Sequence, residues 1–282
     1  MKVVINQVNA FVAGLGSGNP AGVVTDADNL NEGQMLKIAS RVGFSETAFI
    51  SKSKFATKKL RFFTPTEEVD LCGHATIASW AFMQKSTGLK AGKYTQETKA
   101  GLLNVNIDQE DLVYMEQATP RFYQNINSDQ IADCFGINKH DFDSVLTPQI
   151  VSTGLKDLFV PIKSEAVLSS MKPNFTVITD LSRELGVIGL HVFCVLEGSG
   201  STVAARNFAP LVGIDEESAT GTANGAMLSY LIKNKAIPKK DHYRIEQGRA
   251  MDNLSYIYGK VIDDKVWIGG HTSLIKQVTV DI

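Results

Sequence analysis

RFFTPTEEVDLCGHATIASWAF, residues 61–82, is echoed by RNFAPLVGIDEESATGTANGAM, residues 206–227. At an offset of 145 the two share Arg61/Arg206, Phe63/Phe208, Pro65/Pro210, Asp70/Asp215, Ala78/Ala223 and Ala81/Ala226, and Val69/Ile214 is conservative. Six identities in 22 positions exceed the roughly one or two expected from ordinary composition. Each stretch reads as a strand, a turn held by Pro, an Asp near the turn, and an apolar helix whose first turn is rich in small residues. A duplicated unit of this kind predicts two similar domains, each around its own central helix. The segments GHATIASWAFMQKSTG (73–88) and ATGTANGAMLSYLIKN (219–234) are apolar nearly all round. Such helices are wrapped on every side, here by the strands of their own half. Two domains facing each other leave a cleft, a favoured place for a small ligand.

Outside these stretches, apolar alternation and β-branched runs predict strands near 2–12, 45–51, 58–63, 101–107, 112–117, 189–196, 201–208, 255–262 and 265–270. NEGQMLKIASRVG (31–43) predicts a helix capped by Asn31 and stopped by Gly43. EQATPRFYQ (116–124) is the candidate crossover, so the expected division is 1–118, joined by a last strand at about 272–282, and 119–271. A chain of 282 residues with 44% hydrophobic content is long enough for two cores. The net charge of −2, with 28 basic and 30 acidic residues spread along the length, argues against nucleic acid or an anionic membrane as partner. No apolar run approaches a transmembrane helix or a signal peptide, and Cys72, Cys134 and Cys194 fit neither a disulfide framework nor a zinc site. These features predict a cytoplasmic protein with a small-molecule partner.

The chemistry concentrates at the two helix starts. First-turn amides lack intrahelical partners and the helix dipole adds partial positive charge, so CGHAT and ATGTANG each offer N–H donors to a carboxylate. Tight packing of small residues on a sheet explains the same pattern structurally. Glu46 is the only charge in GFSETAFI (43–50). An apolar setting disfavours the ionised form of a carboxyl and suits it to general acid or base work, whereas strand alternation would equally let it face solvent. His74 and Cys72 occupy a helix N-terminus, where a neutral imidazole and a reactive thiol are both favoured, although a lone structural histidine and a small buried cysteine are the commoner outcomes. Asp215, Glu216 and Glu217 read as a capping cluster. GLGSGN (14–19) lacks the third glycine of a dinucleotide fingerprint, and phosphate-loop, hydrolase-elbow and paired-histidine metal motifs are absent. An enzyme of this sequence is therefore expected to work with side-chain acids and bases alone, with no metal and no cofactor.

NAFVAGLGSGNPAGVV, GFSETAFI, RFFTPTEEVDLCGHATIAS, RNFAPLVGIDEESATGTANGA and VWIGG resemble, in order and spacing, the phenazine-biosynthesis-like (PhzF) family, relatives of diaminopimelate epimerase. The resemblance runs from about residue 6 to 270. It implies an α+β fold of two similar domains, each a mostly antiparallel β-sheet wrapped around a long central helix, with the site in the cleft between them. It further implies a cofactor-independent isomerase acting on a small carboxylic acid, commonly a homodimer. Carried onto this chain, Glu46 matches the catalytic acid/base, with Ser45 beside it. His74 matches the histidine of GHAT, with Cys72 and Gly73 next to it. Asn19, Gly221 and Thr222 match positions that line the site. Glu217 stands where the family's EDPATG has aspartate, one methylene longer. Thr220 stands where diaminopimelate epimerases carry their second cysteine, which disfavours a two-base racemase built on Cys72. A catalytically weak binding protein on the same fold is the other alternative.

Overall fold

The computed structural model describes residues 1–282 and shows a mixed α/β protein, rich in strands and with few helices. The chain divides into two compact units, Met1–Glu116 with Gly269–Ile282, and Gln117–Ile268.

The first unit runs β1 (Lys2–Ala10), β2 (Asn19–Val24), α1 (Glu32–Val42), β3 (Glu46–Ser51), β4 (Lys58–Phe63), β5 (Glu68–Val69), α2 (Gly73–Thr87), β6 (Gly92–Thr98), β7 (Gly101–Ile107) and β8 (Val113–Glu116). β1 and β2 are antiparallel, β2 and β3 parallel, β3 and β4 antiparallel. The free edge of β4 is shared. Its C-terminal end forms a hairpin with β5, Phe62 opposite Val69, while its N-terminal end pairs in parallel with β6, Lys58 opposite Gln96. β6, β7 and β8 then form an antiparallel meander.

The second unit runs β9 (Arg121–Asn125), α3 (Ala132–Phe135), β10 (Gln149–Ser152), β11 (Lys156–Pro161), α4 (Glu165–Ser170), α5 (Phe175–Leu185), β12 (Gly189–Val195), β13 (Val203–Ala209), β14 (Ile214–Glu217), α6 (Gly221–Lys233), β15 (Tyr243–Gln247), β16 (Ser255–Ile262) and β17 (Lys265–Gly270). The chain returns to the first unit within β17, at Gly269, and the last strand, β18 (Thr272–Asp281), pairs antiparallel with β1. β10 and β11 are antiparallel, β11 and β12 parallel, β12 and β13 antiparallel. β13 repeats the arrangement of β4, with one end against β14, Asn207 opposite Glu217, and the other in parallel with β15, Ala205 opposite Gln247. β15 and β16 continue antiparallel.

The repeated sequence thus carries a repeated ladder, and its conserved side chains make the same device twice. Arg61 forks onto Glu68 across the β4–β5 hairpin through Nε and Nη2, at 2.7 and 2.8 Å, and stacks over Phe63 at 5.1 Å. Arg206 forks onto Glu216 across β13–β14 at 2.9 and 2.8 Å and stacks over Phe208 at 5.0 Å. Two parallel charge-assisted bonds fix a short hairpin far better than its few backbone bonds could. The offset of 145 does not persist into the helices. α2 starts at Gly73 and α6 at Gly221, 148 residues apart, because the second hairpin holds a 3-10 turn, Pro210–Val212, and is three residues longer. Val69/Ile214, Asp70/Asp215, Ala78/Ala223 and Ala81/Ala226 are therefore coincidences of the sequence offset, and Val69/Glu217, Cys72/Thr220 and Gly73/Gly221 are the equivalent pairs.

Both central helices are buried on all sides. α2 buries residues 74–81 with Met83 and Gln84, lying against β1, β2, β3 and β8; α6 buries Gly221 and residues 223–231, against β10 and β16. Trp80 of α2 is fully buried and donates from Nε1 to Gln96 Oε1 at 2.7 Å, and Gln96 Nε2 donates onward to Thr76 Oγ1 at 3.3 Å. The other face of each sheet carries the remaining helices. α1 covers Val3, Ile5, Val24, Phe49 and Phe63, and α3 to α5 cover Leu158, Val160, Leu190, Val192 and Phe208. Helix α5 is absent from the sequence expectations. Thr176, Val177, Ile178 and Thr179 form a β-branched run, yet Asn174 caps the helix and burial of Ile178 and Leu181 overrides that propensity.

Candidate functional site

Strand alternation decides where Glu46 goes. Phe49 packs under α1, so Thr47 and Phe49 belong to that face, and Glu46, Ala48 and Ile50 to the face of α2. β2 lies parallel to β3 with Ala21 opposite Glu46 and Gly22 opposite Thr47. A Cβ on Gly22 would meet Thr47 Oγ1 at 2.7 Å, so glycine there lets the two strands close up. Asn19 begins β2, and α2 begins after Cys72. These three element ends converge on one imidazole. His74 Nε2 lies 3.4 Å from Glu46 Oε2 and 3.4 Å from Ser45 Oγ. His74 Nδ1 lies 3.4 Å from Asn19 Nδ2 and 3.5 Å from Cys72 Sγ. With an amide and a thiol donor on the Nδ1 side, the ring proton belongs on Nε2, the nitrogen that lies near Ser45 Oγ and Glu46 Oε2. The side chains of His74 and Glu46 are 5% and 18% exposed, so the pair is shielded while the carboxyl keeps an opening. Separations near 3.4 Å are loose for hydrogen bonds, as is common before a substrate tightens a site. One atom each from Glu46, Cys72 and His74 lie within 4.8 Å of one another, so these donor types could also meet a cation.

A second polar cluster lies in the second unit, under the start of α6. Asp157 on β11, His191 on β12, Asn207 on β13 and Glu217 on β14 share one sheet face by register: Asp157 is opposite Gly189, and Asn207 is opposite both His191 and Glu217. His191 Nδ1 is 2.9 Å from Asn207 Oδ1, and burial holds its imidazole down at about 4, a neutral ring. Asp157 is 7% exposed; burial first, and the charge of Glu217 second, push its carboxyl up to about 7, although the Gly189 N–H donates to it. Thr220 Oγ1 donates to Glu217 Oε2 at 2.5 Å. α1, α4 and α5 are closed by Asn31, Ser164 and Asn174 side chains, whereas the residues preceding α2 and α6, Cys72 and Thr220, make no side-chain cap. The first-turn amides at Gly73, Gly221 and Thr222 are thereby left to other acceptors.

The structure thus brings Asn19, Ser45, Glu46, Cys72, Gly73 and His74 together in the first unit, and gathers Glu217, Gly221 and Thr222 in the second. Sequence reasoning missed Asp157, His191, Asn207 and Gln247, which lie on strands far from α6 in sequence. It also missed a cavity of about 550 Å³ in the second unit, lined by Arg121, Tyr123, Ser152, Gly154 and Lys156 among others. The cavity reaches α6 through Gly154, whose neighbour Thr153 donates from Oγ1 to the Thr222 carbonyl at 3.2 Å.

The model of the phenazine-biosynthesis-like family, PhzC-PhzF, matches residues 8–277. The chain belongs to this family. An uncharacterized isomerase of Clostridium acetobutylicum is 36% identical over 94% of this chain and 91% of its own. The trans-2,3-dihydro-3-hydroxyanthranilate isomerase of Pseudomonas aeruginosa is 24% identical over 90% of this chain and 88% of its own. A crystal structure of a Bacillus anthracis phenazine biosynthesis protein of the PhzF family superposes with a TM-score of 0.89, at 29% identity and complete coverage of both chains. These relatives place the PhzF-family chain described here among isomerases, enzymes whose substrates are small molecules. No helix is long and apolar enough to cross a membrane.

Proposed function

We propose that this protein is an isomerase that moves a proton on a small carboxylate-bearing substrate, with Glu46 as the acid/base. The observation that carries this reading is the contact of Glu46 with His74, itself held by Asn19, Ser45 and Cys72. A carboxyl that removes a proton from one carbon and returns it to another on the same face needs no second base. His74, with Nε2 3.4 Å from Glu46 Oε2, is placed to donate to the carboxylate once a substrate tightens the site. In the first unit the amide near Gly73, and in the second the amides near Gly221 and Thr222, are donors suited to an enolate or a carboxylate, and Glu217 is an acceptor suited to polar hydrogens. Arg121 and Lys156 in the cavity beside Thr222 favour an anionic ligand. The trans-2,3-dihydro-3-hydroxyanthranilate isomerase among the relatives supports dihydro-aromatic acids as the first compounds to try. The reaction on this reading requires neither metal nor organic cofactor, and the protein works as a cytoplasmic homodimer.

The test is proton NMR in deuterated water of dihydro-aromatic, hydroxy and amino acids with the native protein and Glu46→Gln, which keeps the shape and removes the acid. Deuterium incorporation or double-bond movement with the native protein alone is expected. Equal rates with the variant would remove Glu46 from the chemistry. Cys72, 3.5 Å from His74 Nδ1, is the thiol on which the racemase alternative rests. Activity that survives Cys72→Ala disposes of that alternative, and tight binding without exchange of any compound would favour the binding protein.

A further inference from the structure

The second cluster contains a hydrogen-bond chain whose direction is fixed by its two ends. Gln247, the last residue of β15, is 1% exposed. Its Oε1 receives the Thr220 backbone N–H at 3.3 Å and Asn224 Nδ2 at 2.6 Å. Its Nε2 donates to the Glu217 carbonyl at 2.7 Å and to Thr220 Oγ1 at 3.1 Å. A backbone N–H can only donate and a backbone carbonyl can only accept, so the amide has one possible orientation. Both Nε2 hydrogens are then used, and Thr220 Oγ1 is an acceptor from Gln247. A hydroxyl has a single hydrogen. That of Thr220 therefore points at its other partner, Glu217 Oε2, 2.5 Å away. Glu217 Oε2 then accepts this bond, and the ionised carboxylate is the stronger acceptor for it.

On the same face within the unit, the titratable groups facing Glu217 are Asp157 and His191. His191 is a neutral ring, and Asp157 holds its proton to about 7 because of burial and of the Glu217 charge. Arg206 and Glu216 occupy the opposite face, engaged with each other. Gly248 makes the geometry possible. It adopts φ +82°, and a Cβ there would meet Asn253 O at 2.3 Å and Ser218 O at 2.8 Å, so only glycine lets the end of β15 lie this close to the segment entering α6.

We propose that Gln247 is a positioning residue that, through the Thr220 hydroxyl, fixes Glu217 as a carboxylate. The relay accounts for how Glu217 is held: the residue is clamped at its backbone carbonyl by Gln247 and at Oε2 by Thr220. The inference rests on the proposed function only for the use made of Glu217; the relay stands on the hydrogen bonds alone.

The deciding experiment is a carboxyl carbon-13 NMR titration of the full-length protein, with the Glu217 signal assigned by Glu217→Gln. Thr220→Val keeps the shape and removes the hydroxyl, Thr220→Ser keeps the hydroxyl, and Gln247→Leu removes the director. Thr220→Val and Gln247→Leu are expected to raise the Glu217 midpoint by about one pH unit or more, the loss expected of a hydrogen bond to a charged group. Thr220→Ser leaves it in place. A residue serving only to stabilise the fold would lower the melting temperature and leave the midpoint alone. An unchanged midpoint in folded Thr220→Val overturns the inference, and that variant decides alone if Gln247→Leu does not fold. Because no turnover is read, failure of the isomerase reading in the deuterium experiment leaves this test intact, and the converse holds.

Discussion

Replacing Asp157 by Asn should make the protein more stable above neutral pH, by an amount set by its buried carboxyl. In the folded protein burial and the neighbouring Glu217 raise this carboxyl from 3.8 to about 7. Between those values the folded chain keeps a proton that the unfolded chain has lost, so stability falls as pH rises through this window and levels off above it. At about 1.36 kcal/mol per pH unit, the separation from 3.8 to about 7 corresponds to a loss of about 4 kcal/mol, complete by about pH 8. Asn has no proton to lose, and its Oδ1 still accepts from the Gly189 N–H. Near pH 4 the variant and the native protein should therefore unfold at the same urea concentration, and the variant should pull ahead progressively towards about pH 8. Urea melts of both proteins across this range, followed by circular dichroism with m-values compared, give the difference directly. The comparison cancels the carboxylates whose response has the opposite sign, such as Glu68, held below the usual range by Arg61. A difference between the two proteins that stays constant across the range would refute the account, since only titration of Asp157 makes it grow.

Gln96→Leu should destabilise the first unit by about 1–3 kcal/mol, because it orphans the fully buried Trp80 N–H, and urea melts followed by tryptophan fluorescence will show it. Gly248→Ala should cost at least about 2 kcal/mol, as a Cβ 2.3 Å from Asn253 O and a left-handed φ act together, and the melting temperature should fall accordingly. Cys134 and Cys194 are buried and their thiols are pushed up to about 12 by burial, so neither should react with a thiol reagent until the protein unfolds, as labelling followed by mass spectrometry will establish.

The sequence carried the repeat, the two buried helices and the residues around His74 because each is written in consecutive positions. A helix apolar all round has to be enclosed, and Glu46 is the lone charge of its strand whatever the strand packs against. Register was legible only where a strand and its turn are short. The offset of 145 fitted Arg61 and Arg206 but slipped by three before Gly73 and Gly221, because the length of a hairpin turn is invisible until its strands pair. Whether Glu46 faces solvent or the helix is likewise a question of which sheet face is covered, and Phe49 under α1 answers it. Of the second cluster only Glu217 was legible in the sequence, while Asp157, His191, Asn207 and Gln247 were not. The cluster's members stand on five strands, as many as 90 positions apart, and those four are unremarkable polar residues in their own segments. What makes them a network is the hydrogen-bonded ladder that places them on one face beneath α6, where burial leaves every donor and acceptor to find its partner within the protein.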